Sequence, residues 1–193
     1  MQLENVRIGF ALTGSFCTFP KILPEISRLV EEGADVLPIM TPTSANTDTR
    51  FGTAREYIDQ IEKLTGKKIL TSITEAEPIG PKEMVDVMVI APCTGNTLAK
   101  LANAITDNAV LMAVKSHLRN QKPVVIGLSS NDGLGMNAKN LGLLLNTKNI
   151  YFVPFKQDDP FKKPNSLVAR YDLLIPTVLE ALEGKQVQPL LAD

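Results

Sequence analysis

The sequence predicts an α/β fold, with a parallel sheet covered by helices on both faces. Two observations carry this. Short apolar runs alternate with segments of helical period along the chain, the pattern of right-handed β-α-β crossovers. The runs are also nearly continuous in their apolarity, as strands buried on both faces are.

Taken in order, Val6 to Leu12 reads as a buried strand with Val6, Ile8, Phe10 and Leu12 on one face, and Thr13-Gly14-Ser15 as the turn after it. Phe19 to Glu32 repeats Ile22, Ile26, Leu29 and Val30 at helical spacing and stops at Gly33, with Pro24 near its start, where a missing N–H costs little. Ala34 to Met40 is a second strand, and Pro38 marks it as an edge or terminal one. Thr41 to Thr49 is a hydroxyl-rich loop, Phe51 to Leu64 a helix, and Lys68 to Thr71 a short strand. Pro78, Gly80 and Pro81 make Thr74 to Lys82 a loop. Val85 to Ala91 is the central strand. Leu98 to Ile105 and Ala109 to Leu118 are helices, the second capped by Asp107. Val124 to Leu128 and Ile150 to Val153 are strands around a helix over Asn137 to Leu145. Val153 to Ser166 lacks any period and reads as a long loop. Leu167 to Glu183 is the last helix, with Pro176 as a kink or restart.

The 193 residues, 44% hydrophobic and 21% charged, fit one globular domain over 1–193. The 20 Lys plus Arg nearly cancel the 21 Asp plus Glu, which gives no electrostatic footprint for nucleic acid. No apolar run reaches the roughly 18 residues of a membrane span, and Met1 to Glu4 lacks a basic leader. Cys17 and Cys93 make no disulfide scaffold, so a soluble cytoplasmic protein is expected. Only one His is present, so a zinc site or a Ser-His-Asp triad would depend on His117 alone.

In open parallel sheets ligands sit beyond the carboxyl ends of the strands. Four loops there are polar: Thr13 to Thr18, Thr41 to Thr49, Pro92 to Thr97 and Ser129 to Gly135. They are rich in hydroxyls and poor in charge, which suits a phosphate held without a lysine. Gly9 to Ser15 lacks both a dinucleotide fingerprint and the lysine of a P-loop, so a plain turn capped by Ser15 or Thr18 is an equal reading. In the third loop Pro92 rigidifies the strand exit, Gly95 lets backbone approach a ligand, and Thr94, Asn96 and Thr97 present donors near a helix start. The plain alternative is a capped connection.

Four other sites have two readings each. His117 is a general acid or base, or a surface or interface helix residue. Cys93 is a reactive thiol, or a small buried residue under the ligand, and Cys17 is such a filler. Arg50 and Arg55 clamp a carboxylate, or form a solvated face with Asp59. Lys156, Lys162 and Lys163 close over an anion or meet a partner, or are simply solvated.

The block Val89 to Asn103, with Asp107-Asn108 after it, resembles the signature of the homo-oligomeric flavin-containing cysteine decarboxylase family. Thr13-Gly14-Ser15 resembles its N-terminal flavin loop, and Thr41 with Ser44 its loop after the second strand. The resemblance implies a Rossmann-like or flavodoxin-like three-layer sandwich. It also implies an FMN site near a subunit interface of a trimer or dodecamer, on Gly14, Ser15, Thr41, Ser44, Pro92, Cys93, Thr94, Asn96, Thr97 and Asp107. Pro78 stands where that family has its catalytic His, and Ser129-Ser130-Asn131-Asp132 replaces its Pro-Ala-Met-Asn motif. The family's substrate-clamp cysteine has no equivalent. Cysteine decarboxylation is therefore disfavoured.

Glu77 to Lys82, His117 to Gln121 and Leu144 to Phe155 resemble one branch of that family more narrowly, the B subunits of a two-subunit synthase of endospore-forming bacteria. The branch implies an oxidoreductase that acts with an A subunit resembling an NAD(P)-binding dehydrogenase. It implies a small dicarboxylate substrate at the dihydrodipicolinate level, aromatised to pyridine-2,6-dicarboxylate in the sporulating mother cell. The alternatives are a flavin-dependent decarboxylase or prenyltransferase relative, or a non-catalytic partner that stabilises the A subunit.

Overall fold

Five parallel strands organise the computed structural model, which describes residues 1–192. They are β1 (Arg7–Leu12), β2 (Asp35–Met40), β3 (Val87–Cys93), β4 (Val124–Ser130) and β5 (Ile150–Phe152). Their order across the sheet is β2-β1-β3-β4-β5. This is the order of flavodoxin-like folds, and the direction of strand addition reverses between β1 and β3. No helix of the described residues is long and apolar enough to cross a membrane.

Side chains leave the sheet alternately. Ile8, Phe10, Leu12, Val87 and Val89 join a core with Phe19, Ile22, Ile26, Tyr57, Ile61, Leu174 and Val178. These come from α1 (Phe19–Glu31), α3 (Ala54–Thr65) and α8 (Leu174–Leu182). Ala11, Met88, Ile90, Ile126 and Leu128 face the other core, with Leu98, Val110, Val114, Leu141 and Leu144. These belong to α5 (Gly95–Ala102), α6 (Ala109–Leu118) and α7 (Ala138–Leu145). The three layers follow from strands that are apolar on both sides.

β2 is the edge strand that Pro38 implied. The short strand expected at Lys68 to Thr71 is one bridge, Leu70 to Ile39. The two segments read as loops contain the short helices α2 (Pro42–Asn46) and α4 (Ile73–Ala76). Both start on hydroxyl caps: Thr41 accepts from the Ser44 N–H, and Ser72 forms a reciprocal capping box with Glu75.

Three boundaries correct the sequence reading. Val153 to Ser166 is not a loop. It carries β6 (Phe155–Asp159) and most of β7 (Lys163–Ala169), an antiparallel hairpin whose β7 pairs with Ser129 and Ser130 at the end of β4. The last helix therefore starts at Leu174, and Pro176 sits in its first turn instead of kinking it. β3 runs on through Pro92 to Cys93, past an irregularity after Ile90 and a cis Ala91–Pro92 peptide, and α5 begins at Gly95 rather than Leu98.

Candidate functional site

The reversal of strand order opens a cleft of about 350 Å³ at the carboxyl ends of β1, β2 and β3. Thr13 and Gly14 contribute from the first turn, Thr41, Pro42 and Thr43 from the second, and Thr94, Asn96 and Thr97 from the third. Lys100, Asp107 and Asn108 complete the wall.

Local hydrogen bonds fix these loops. Thr13 Oγ1 donates to the Pro92 carbonyl at 2.7 Å and accepts from the Thr94 N–H at 2.9 Å, tying the first loop to the third. Thr94 Oγ1 then caps α5 by accepting from the Thr97 N–H at 3.3 Å. Thr41 Oγ1 lies 2.8 Å from the buried Ser44 Oγ. Three helix starts, those of α2, α5 and α6, thus converge on one polar hollow, where partial positive charge gathers.

The positive charge on the wall was missed from sequence. Lys100 Nζ pairs with Asp107 at 2.5 Å, so the hollow does contain a lysine. Asn96, Thr97 and Lys100 recur at intervals of three and four, which places them on one face of α5. That spacing was the available signal. Asp107 is not the cap of α6. Asn108 takes that role in extended conformation, accepting from the Leu111 N–H at 3.1 Å.

Of the residues that the resemblance nominated, Gly14, Thr41, Thr94, Asn96, Thr97 and Asp107 are brought together on this wall. Ser15 points elsewhere, with Oγ 2.9 Å from both Thr18 Oγ1 and Ser129 Oγ. The side chains of Ser44, Pro92 and Cys93 are buried behind the wall. Burial pushes the Cys93 thiol far up, so it is an inert packing group and not a nucleophile. Gly95 serves protein packing: a Cβ there would stand 2.6 Å from Ser130 Oγ and 2.8 Å from Asn137 Nδ2.

Of the other expectations, those for His117 and Cys17 are corrected, and the arginines take the solvated reading. His117 is neither a site base nor a surface residue. It is 1% exposed, on the buried face of α6, and donates from Nε2 to the Pro123 carbonyl at 3.0 Å. Burial lowers its pKa to about 4, which keeps it neutral. Cys17 is exposed rather than a filler. Arg55 pairs with Asp59 at 2.7 Å on a solvated face, and Arg50 lies over the Phe51 ring. Lys163 pairs with Asp158 across the hairpin. Pro78 lies in a single turn, Glu77–Ile79, outside the cleft.

Together the strand order, its reversal and the matching sequence define a class: the chain belongs to the Flavoprotein family, which matches residues 1–162. Within it, the chain is 55% identical over 192 residues to the B subunit of dipicolinate synthase from Bacillus subtilis (strain 168), covering 100% of this chain and 96% of that protein. The crystal structure of the corresponding B subunit of dipicolinate synthase from Bacillus halodurans C superposes with a TM-score of 0.92 at 52% identity, covering 100% and 99% of the two chains. The FMN-dependent cysteine decarboxylase SpaF shares the fold, with a TM-score of 0.69 at 21% identity over 94% and 99% of the chains.

Proposed function

We propose that this chain is the B subunit of a dipicolinate synthase. In this reading it acts with an NAD(P)-binding, dehydrogenase-like A subunit to convert a dihydrodipicolinate-level precursor to pyridine-2,6-dicarboxylate during sporulation. It does so as a homo-oligomer with an FMN-type cofactor. The observation that carries the cofactor is the hydroxyl-lined hollow at the strand reversal.

The residues present fit such a group. The cleft's volume lies within the range of cofactor pockets, about 300–1,000 Å³. Its lining offers the Thr41, Thr94 and Thr97 hydroxyls and the Asn96 amide, donors suited to phosphate and ribityl oxygens. Lys100, ion-paired with Asp107, offers ammonium N–H donors at the wall, and the hydroxyls and helix starts carry the rest of the anion binding. A Cβ at Gly14 would meet nothing nearer than Thr43 Cγ2 at 3.7 Å, so the glycine leaves the backbone bare toward the hollow. Gly14, Thr41, Thr94, Asn96, Thr97 and Lys100 would hold the group.

Aromatising a dihydropyridine ring removes a hydride and a proton. A bound flavin supplies hydride acceptance. The chain's own part is to bind, to orient and to fix anions. The decarboxylases resembled use a catalytic His, and no His lines this cleft, which favours this reading over decarboxylation.

The test is the visible spectrum of freshly purified protein, titrated with FMN. Flavin bands that shift on binding, and that bleach when the precursor is added without oxygen to the complex of both subunits, are expected. A spectrum identical to free FMN at micromolar protein would overturn the cofactor assignment and leave the non-catalytic partner reading. Release of carbon dioxide from the precursor would overturn the oxidoreductase assignment.

A further inference from the structure

A second cleft, of about 280 Å³, lies beyond the Ser15 turn, between that turn, the end of β4 and strand β7 of the hairpin. Nearly buried hydroxyls line it: Thr18 is 5% exposed, Ser130 9% and Ser166 3%. Thr18, Ser15 and Ser129 form a triangle with oxygens 2.9, 2.9 and 3.2 Å apart. In such a ring each hydroxyl donates once and accepts once. Any one of them can turn its proton outward to a ligand while the other two remain bonded.

Charge collects at the same place. Lys21, in the first turn of α1, lines the cleft, as do Lys163 and its partner Asp158 at 2.7 Å. With Lys163 paired to Asp158, Lys21 is the lysine left over on the lining. Thr18 makes no side-chain cap at the start of α1, which continues from the single turn Phe16–Thr18, so its hydroxyl stays in the triangle and faces the cleft. Leu167 and Val168 give the cleft an apolar side. A more open depression lined by Gly14, Ser15, Asn96 and Ser129 connects the cleft to the flavin hollow.

We propose that this second cleft binds a carboxylate of a small ring dicarboxylate. Lys21 is its counter-charge, the hydroxyls are its donors, and Leu167 with Val168 lies against the ring. The proposal rests on the reading above for the identity of the ligand. It places the substrate next to the cofactor across the Gly14–Ser15 turn.

The test is calorimetric titration of the full-length chain with pyridine-2,6-dicarboxylate, pyridine-2-carboxylate and inorganic phosphate, beside a separate absorbance titration with FMN. The dicarboxylate is expected to bind more tightly than either other anion. Lys21→Gln is expected to weaken it about tenfold and to leave the FMN curve unchanged. A control, Lys63→Gln on α3, is expected to change neither. The proposal is overturned if the wild-type chain fails to bind the dicarboxylate at millimolar concentration, with or without FMN. Equal affinity in Lys21→Gln, or phosphate binding as tightly as the dicarboxylate, overturns it too. Dicarboxylate binding that depends on Lys21 without any FMN binding would sink the cofactor reading and leave this one standing. FMN binding without dicarboxylate binding would do the reverse.

Discussion

Thr13 sets the distance between two loops with one hydroxyl. It is 1% exposed, and its two shortest bonds go to the backbone of the third loop. Thr13→Val keeps the shape and strands the Pro92 carbonyl and the Thr94 N–H. Each buried, unpaired group costs about 1–3 kcal/mol. The urea midpoint should fall by an amount equal to about 2 kcal/mol or more at unchanged slope, and FMN affinity should fall with it because Thr94 is displaced. His117 acts on stability alone. Its folded pKa is about 4, against an unfolded value of about 6.5. Stability is thus full above pH 6.5 and is lost as pH falls toward 4, because only the unfolded chain takes up the proton. The loss amounts to roughly 3 kcal/mol across that window. His117→Gln has no such group, so its stability relative to wild type should rise between pH 6.5 and 4. Parallel stability curves for the two proteins over that range would refute the assignment.

At the scale of elements, α5 is positioned by what its first residue lacks. A Cβ at residue 95 would strike Ser130 Oγ and Asn137 Nδ2. Gly95→Ala should push the helix start away from β4, cost about 1–3 kcal/mol in overpacking, and weaken FMN binding through Thr94, Asn96 and Thr97. A thermal melt and an FMN titration check the two effects, and a variant with unchanged affinity would show that α5 does not hold the cofactor. The five parallel strands and the helices between them are readable from the sequence because burial on both faces writes continuous apolar runs. The hairpin is not. β6 reads Phe-Lys-Gln-Asp-Asp and β7 begins Lys-Pro-Asn, polar segments held by the β6–β7 pairing, with Leu167 and Val168 of β7 docked on the end of β4, and not by their own period. The cleft was half readable for a similar reason. Hydroxyl-rich turns announce themselves, whereas Lys100 looks like any helix lysine until the fold sets Asp107 beside it.

The whole molecule separates strength from function along the strand direction. At the amino ends of β1 and β3, Arg7 Nε and a terminal nitrogen bond Asp86 at 3.1 and 2.6 Å, and the Arg7 N–H adds a third bond at 3.0 Å. These bonds, the Arg7 side chain's first, hold the Asp86 carboxyl below the usual carboxylate range. At the carboxyl ends the same strands release hydroxyl-lined turns. Changes at the two ends should therefore read out differently. Asp86→Asn weakens these partly solvent-screened, charge-assisted bonds and should lower the melting temperature without altering the FMN dissociation constant. FMN at a hundredfold excess over that constant should stabilise wild type and Asp86→Asn alike, by about 2.7 kcal/mol. For a chain of this length that is roughly 5–10 °C. Asn96→Ala should melt near the wild-type temperature without ligand, since Asn96 is an exposed residue, and should lose most of the FMN-induced rise. A loss of FMN affinity in Asp86→Asn equal to that in Asn96→Ala would mean that the two ends of the sheet are coupled, and that the cleft depends on the strand starts as much as on its own turns.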